Sequence, residues 1–572
     1  MERFYDIGTA YFSMEFALEN DMHTYAGGLG VLAADMMRGC ADLEIGIAGV
    51  SLLVKKGYFF QTIDAQGVQH EKEDRWNPHE FLTPLNAEVS VTIEDRQVRI
   101  TPWLYGVKGV TGFEVPVIFL DTDNEANSPF ERSLSYYLYK DDDRFRCAQE
   151  IVLGVGGVRM LEALGFVSDL RYHMNEGHSA FLVAELMRKF GDAADPAREV
   201  RNRCIFTTHT PVPAGHDKFS TKMVQNMFPS MPEEIQKSMG SVCNMTELAL
   251  NHSAFVNGVA GSHTETTSTM FPGHDIESIT NGIHTSYWVC PSMDELFGRY
   301  VKSWRKDFFN LRYIAGVSCK EIMEAHRAAK ERMIAWLFGH QKVNLNPDVF
   351  TIGYARRITP YKRADMLFSD MQRLKSIAQQ YRGLQILYSG IAHPADREGK
   401  RQIEYVHDAM KALRPHVRTC YIEDYDLQIA GMMVSGCDLW LNTPRPPQEA
   451  SGTSGMKAAA NGVPQLSVLD GWWNEGHIEN ITGWSIGKRY DENERASHAE
   501  ELEDMYGKLE HTILPLYYNN PEQWARIMRN CISINGSFFN THRMVRQYVV
   551  NAYFTHITEK IETTEPVLQE IR

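Results

Sequence analysis

The sequence has no cysteine pairs in metal-binding or redox spacing. Its nine cysteines stand singly (Cys40, Cys147, Cys204, Cys243, Cys290, Cys319, Cys420, Cys437, Cys531), and their number is odd. That pattern belongs to reduced thiols in a reducing compartment, and it excludes a zinc ribbon and a disulfide miniprotein. Long hydrophobic runs are missing too. No stretch reaches the ~18 apolar residues of a membrane span. The start, Met1-Glu2-Arg3-Phe4-Tyr5-Asp6, lacks the basic end and apolar run of a signal peptide. The cytoplasm is the expected location, with no membrane partner. Positive charge is in deficit: 58 Lys and Arg against 73 Asp and Glu give −15. Such a chain repels nucleic acid as a whole, so any phosphate it binds must be held by a few placed cations. The H-E-x-x-H and G-x-S-x-G spacings and the Walker lysine loop are absent, and no metal is expected. There is no internal repeat.

What is present is an ordinary globular composition, 43% hydrophobic and 23% charged over 572 residues. That length holds about three ordinary domains or two large ones. Short apolar or β-branched runs recur, each followed by Gly, Asn, Thr, His or Pro and then by helical periodicity. The alternation predicts an α/β fold with largely parallel sheets. In the first half, Leu170–Met174 leads into Asn175-Glu176-Gly177-His178, Cys204–Thr207 into Thr208-His209-Thr210, and Glu277–Ile279 into Thr280-Asn281-Gly282. In the second, runs ending at Gly353, Tyr388, Leu441 and Leu469 lead into Arg356-Arg357, Ser389-Gly390, Asn442-Thr443 and Asp470-Gly471. Glu88–Asp121 alternates instead, and predicts antiparallel hairpins at the margin of the first domain. Polar residues thus gather after two sets of strands, where open α/β sheets bind ligands; two such sheets face to face predict a deep cleft. The expected division is a first domain over 1–290, a second over 291–535, and a C-terminal helix, 536–572, packing back across the first.

Three segments carry chemistry. Glu449-Ala450-Ser451-Gly452-Thr453-Ser454-Gly455-Met456-Lys457 places small residues and hydroxyls before a helix. Amides there favour an anion, and Ser451 and Thr453 add hydroxyl donors. Lys457, near the positive helix end, has a lowered pKa if buried, and a desolvated lysine beside a phosphate cradle points to covalent attachment of pyridoxal phosphate. On spacing alone, a solvated lysine behind a glycine-rich cap stands equal to that reading. The second segment puts Arg356, Arg357, Lys362 and Arg363 within eight residues. Arg357 as a planar fork and Lys362 as a point charge suit an oxyanion. The third, Ala26-Gly27-Gly28-Leu29-Gly30 after Glu15, permits close backbone approach to a ligand. His178, His209, Asn281 and His284 follow strands, although lone histidines are more often structural.

Taken in order, these segments resemble the α-glucan (glycogen, starch, maltodextrin) phosphorylases, in particular their shorter bacterial and archaeal type, from about Tyr11 to about Phe554. The family's Glu-Ala-Ser-Gly-Thr-x-x-Met-Lys signature reads complete from Glu449 to Lys457, and Arg356 to Arg363 resembles its Lys-Arg-Ile-x-x-Tyr-Lys-Arg. The resemblance implies two Rossmann-like doubly wound domains facing a deep cleft, the glycosyltransferase-B architecture. It implies pyridoxal 5'-phosphate joined covalently to Lys457, with Ser451, Gly452, Thr453, Tyr425 and Gly28 around it. It implies Arg357, Lys362 and His209 as catalytic residues, and Glu449, Asn281, Gly27, Gly28, Glu15 and His178 against the substrates. The implied reaction is reversible, retaining phosphorolysis of an α-glucan or maltooligosaccharide by inorganic phosphate, giving glucose 1-phosphate, in a homodimer by analogy. Retaining glycosidases use two carboxylates ~5–5.5 Å apart; no such pair is legible, and the substrate phosphate is expected to fill both roles. Val31, Thr359-Pro360, Ser454-Gly455 and Asp426 stand where the larger members have Arg, His-Glu, Gly-Asn and Arg. Two other readings stay open. A nucleotide-sugar-dependent glycosyltransferase of the same architecture, like glycogen synthase, needs no lysine at 457. A non-catalytic glucan-binding protein needs no phosphate-binding cations.

Overall fold

The computed structural model describes residues 7–140, 142–166, 169–489 and 496–554. Many strands are short runs buried on both faces; every residue of Ile47–Leu52 and of Thr351–Ala355 is buried. Strands of this kind belong in parallel sheets covered by helices, since neither face is left for water. The first sheet runs, in spatial order, Glu277–Ser278, Phe255–Gly258, Cys204–Thr207, Arg171–Asn175, Thr9–Phe12, Ile47–Leu52, Glu114–Asp121, Arg96–Lys108 and Thr83–Pro84, with Val89–Ile93 paired to Arg96–Lys108. The second runs Arg418–Ile422, Gln385–Ser389, Thr351–Ala355, Leu439–Asn442, Gln465–Val468 and Gly483–Ile486, all parallel.

The two sheets share one winding. Counted along the chain from Thr9–Phe12, the parallel strands of the first lie in the order 3-2-1-4-5-6-7; counted from Thr351–Ala355, those of the second lie 3-2-1-4-5-6. In each the order reverses between strands 1 and 4, which opens a crevice at their carboxyl ends. The doubly wound α/β fold expected from the sequence is therefore the one observed.

The marginal hairpins are present: Val89–Ile93 and Glu114–Asp121 both pair antiparallel with Arg96–Lys108. One part of that expectation changes. Glu114–Asp121 also pairs in parallel with Ile47–Leu52. All but its first residue are buried, so it belongs inside the sheet and not at its margin. Thr9–Phe12, Ile47–Leu52 and Phe255–Gly258 escaped the sequence reading, because four to six residues buried nearly throughout show no alternation.

Helix α1 (Gly28–Asp42) follows the glycine loop, α2 (Thr453–Ala460) follows the Glu449 segment, and α3 (Thr541–Tyr548) lies near the end of the described chain. Between the two sheets the chain forms a helix, Pro291–Tyr300, followed by a 3-10 run at Phe308–Gly316. Thr541 in α3 sits where a Cβ on Gly39 of α1 would be 2.8 Å from its own Cβ. Just before α3, Asn540 forms a parallel bridge with Ile283. The rest of the expected C-terminal unit, 555–572, lies outside the described residues. A hairpin of Phe60–Ile63 and Gln69–Lys72 reaches from the first half to the loops of the second sheet. Its Gln61 donates to Gly390 O (3.0 Å) and accepts from Asp424 N (3.0 Å); Gln69 donates to Ala392 O (2.9 Å) and accepts from Ala392 N (3.0 Å). Among the described residues no helix is long and apolar enough to cross a membrane, and no cluster of His, Cys, Asp and Glu fits a metal ion.

Candidate active site

The two crevices open onto one cavity of about 480 Å³, within the ~300–1,000 Å³ of ligand sites. Most residues singled out from sequence line it; His284, bonded to Asp42 at 2.9 Å, and Arg363, paired with Glu501, do not. Glu15, Gly27, Gly28, His178, His209 and Asn281 come from the first half, and Arg357, Lys362, Tyr425, Glu449, Ser451, Gly452, Thr453 and Lys457 from the second.

On the second sheet, successive side chains leave the strand Thr351–Ala355 on opposite sides. Arg356 turns inward, where its guanidinium donates to Asn442 Oδ1 and Glu449 Oε2. Arg357 is exposed in the cleft and makes no ion pair among the described residues. Pro360 starts a 3-10 turn, Pro360–Lys362, that brings the Lys362 ammonium to both Glu449 oxygens at 2.8 and 2.7 Å. Arg363 turns away to Glu501 and to the carbonyls of Thr443 (2.9 Å) and Pro444 (2.7 Å). Among the described residues Arg356 and Lys362 are both bonded to the Glu449 carboxylate, and Arg357 stands in the cleft beside Lys362. Burial opposes the ionisation of Glu449, but Arg356 and Lys362 outweigh it and hold the carboxyl down to about 2. Burial pushes Lys362 down to about 7, and the neighbouring Arg356 and Arg357 add to the push against the pull of Glu449. The surplus of positive charge makes this an anion site.

Lys457 lies in the second turn of α2, buried, with its ammonium 3.7 Å from the centre of the Trp288 ring and no ion pair among the described residues. Burial pushes it down to about 8, against the attraction of Asp35, in the direction expected from sequence. Asn461 fixes this contact. Its amide donates to Lys457 O and Trp288 O, both at 2.9 Å, and its oxygen accepts from Cys290 N at 2.8 Å. Gly452 caps α2 in the left-handed region, φ 87°, which only glycine adopts without strain. The Ser451 hydroxyl beside it is buried with no partner.

On the first-half wall, His209 and Asn281 carry no charge. His209 donates from Nε2 to Asn175 Oδ1 at 2.6 Å, and burial lowers it to about 3, so it is uncharged. Asn281 has a buried side-chain oxygen with no partner. His178 lies 3.4 Å from Asp217, and burial lowers it to about 4. Side chains built at Gly27 and Gly28 would enter open space, so glycine there keeps the cleft clear.

Two residues expected against substrate already have protein partners. Both Glu449 oxygens are bonded to cations. Glu15 accepts from Ala26 N (2.7 Å), Gly27 N (3.0 Å) and the Tyr139 hydroxyl (2.9 Å), and so holds the glycine loop. The Asp426 departure has a local cause: its carboxylate caps the helix Leu427–Gly436 by accepting from Ile429 N at 2.7 Å. Tyr425 beside it lines the cavity.

Three contributors were not assigned from sequence: Arg356, Glu176 and Asp470. Glu176 has φ 72° and accepts from His209 N (2.7 Å) and Thr210 Oγ1 (2.9 Å); burial lifts it to about 7. Asp470 accepts from Glu449 N (2.8 Å) and Gly471 N (2.9 Å); burial and the charge of Glu449 lift it to about 7. Each of the three directly follows a strand run legible in the sequence, and that position was the available signal.

Residues 231–483 match the family model described as carbohydrate phosphorylase. The chain is 36% identical to a maltodextrin phosphorylase of Thermococcus litoralis, over 95% of this chain and 70% of that one. It is 33% identical to a glycogen phosphorylase of Aquifex aeolicus, over 96% and 86%. It is 30% identical to an uncharacterized protein of Methanocaldococcus jannaschii, over 95% and 99%. With relatives at this identity along nearly its whole length, and with the anion site and buried lysine together at the switch point of the second sheet, the chain belongs to the carbohydrate phosphorylase family.

Proposed function

We propose that the protein is an α-glucan phosphorylase that transfers a terminal glucosyl unit from an α-1,4-glucan to inorganic phosphate with retention, giving glucose 1-phosphate. The observation that carries the reading is the surplus of cations over carboxylates at Arg356, Arg357, Lys362 and Glu449, set opposite His209, which burial keeps neutral, and the uncharged Asn281. A glucan alone needs no such charge, and a phosphate does. Arg357, free in the cleft, binds phosphate oxygens; Lys362 supplies a second charge, and an entering anion favours its protonated form. In the transfer the glycosidic C–O bond breaks, the leaving oxygen takes a proton from the phosphate, and a phosphate oxygen bonds to the anomeric carbon on the same face. The cation cluster and the amino end of α2 hold that charge in place without rearranging. His209, kept neutral, and Asn281, with its free oxygen, contact the sugar.

The site residues fit pyridoxal 5'-phosphate. Lys457 is a buried amine with a lowered pKa, as covalent attachment requires, and Ser451, Gly452 and Thr453 offer an unpartnered hydroxyl and free amides for its phosphate. When bound, the group supplies a second titratable phosphate as acid–base partner to the substrate phosphate. Lys457→Ala should abolish the pyridoxal absorbance and phosphorolysis together. Phosphorolysis by a cofactor-free variant would sink the reading. Glucosyl transfer from a nucleotide sugar by that variant would favour a nucleotide-sugar glycosyltransferase instead.

A further inference from the structure

We propose that Arg543 is a positioning residue for this reaction: from the tail helix α3 it fixes the Thr280–Asn281 backbone so that the Asn281 side chain faces the glucosyl unit. The proposal rests on the reading of Asn281 as a sugar contact. Arg543 donates through Nη2 to Asn281 O at 2.8 Å and through Nη1 to Thr280 O. It also donates to Gln547 Oε1 at 2.8 Å and to Phe538 O at 3.2 Å. Among the described residues it has no ion pair. All these hydrogen-bond partners are neutral oxygens; the half-buried guanidinium is also attracted by Glu475 and lies over the Phe538 ring, 5.2 Å from its centre. A fold that needed only packing here would be served by an apolar side chain. A planar fork, however, grips two successive carbonyls at once.

The loop so gripped is held from every side. The Thr280 hydroxyl donates to Glu475 Oε2 at 2.7 Å, and Asn281 N donates to Val259 O at 3.0 Å. Ile283 N donates to Phe539 O at 3.2 Å, and Thr541 N donates to Ile283 O at 2.9 Å. Gly282 leaves no room: a Cβ there would be 2.3 Å from Asn540 O. Among the described residues, the Asn281 side-chain oxygen has no partner and is buried at the cavity wall. Holding a backbone this firmly around one free oxygen is what a sugar-directing contact needs, since a small misplacement of such a group is costly.

A double-mutant cycle tests it on the holoenzyme. Arg543→Lys keeps the charge and loses the fork; it should lower kcat/KM for the glucan about tenfold, with the pyridoxal absorbance intact. In an Asn281→Ala background the same change should cost less than about twofold, because the group it positions is gone. Full activity of Arg543→Lys, or losses that multiply, overturns the proposal. If that variant does not fold, Thr280→Val serves in its place, since it removes only the hydroxyl held by Glu475 and should show the same non-additivity. An Asn281→Ala variant with unchanged kcat/KM overturns the sugar contact, and the role of Arg543 with it; an impaired Asn281→Ala with multiplying losses overturns the role of Arg543 alone.

Discussion

At the scale of single residues the site is a problem of charge balance. Among the described residues Glu449 is the sole carboxylate bonded to Arg356 and Lys362. Glu449→Gln leaves two buried cations facing Arg357 with no counter-charge, and breaking a buried pair in this way costs about 3–5 kcal/mol. The variant should unfold at lower denaturant concentration, yet bind phosphate more tightly in whatever fraction remains folded. Weaker phosphate binding would contradict the charge account. Three buried groups also titrate near neutrality: Lys362 is pushed down to about 7, and Glu176 and Asp470 are lifted to about 7. As pH rises through that value, Lys362 loses its positive charge and the two carboxyls become anions, so all three changes weaken anion binding. Sulfate keeps its charge between about pH 6 and about pH 8, and its competition with phosphate should weaken about tenfold across that range. A flat profile would rule out titration of the cluster. The sequence made the cations legible, because like charges crowded after a strand have few structural uses. It singled out Arg357 and Lys362 but gave Arg356 no role of its own. That assignment depends on which side of the strand end meets Glu449, a contact 93 residues away along the chain.

At the scale of elements the site is built by close approach. Gly452 holds φ 87°, and a Cβ there would make only an ordinary 3.5 Å contact with Glu449. Gly452→Ala therefore carries backbone strain alone, about 1–2 kcal/mol. It should weaken pyridoxal phosphate binding in a fluorescence titration by roughly tenfold while leaving the fold, because the strain falls on the turn that aims Ser451 and Thr453. Unchanged affinity would mean that the amino end of α2 plays no part in the cradle. Gly282→Ala differs in kind, since its Cβ would meet a backbone oxygen. The tail must then shift away from the loop, and destabilisation of about 1–3 kcal/mol is expected from thermal unfolding. Elements with a polar residue after them were readable from sequence. Thr9–Phe12 and Phe255–Gly258 were not, because a short strand buried almost throughout has no periodic signature, and its place in a sheet is settled by partners distant along the chain.

At the scale of the whole molecule the same strand order, wound twice, brings two switch points to one cleft. Strand order is set by pairing between distant segments, so the residue runs by themselves indicate two sheets, and only the family resemblance implied the reversal that places Asn175 beside Ser13 and Arg356 beside Asn442. The hairpin of Phe60–Ile63 and Gln69–Lys72 adds a direct tie across the molecule. Gln61 and Gln69 are buried, and each uses both ends of its amide on backbone groups of the second half, as a strand would. Replacing both by leucine keeps their bulk and leaves those backbone groups without partners, at about 1–3 kcal/mol for each buried group stranded. Opening the tie relieves that cost, because water can then reach the freed groups. The double variant should therefore show a larger radius of gyration than wild type in small-angle scattering without substrates. It should also show a raised KM for the glucan with kcat little changed, since closure then draws on binding energy. An unchanged radius of gyration together with an unchanged KM would mean that the cores hold the cleft at its width without the hairpin.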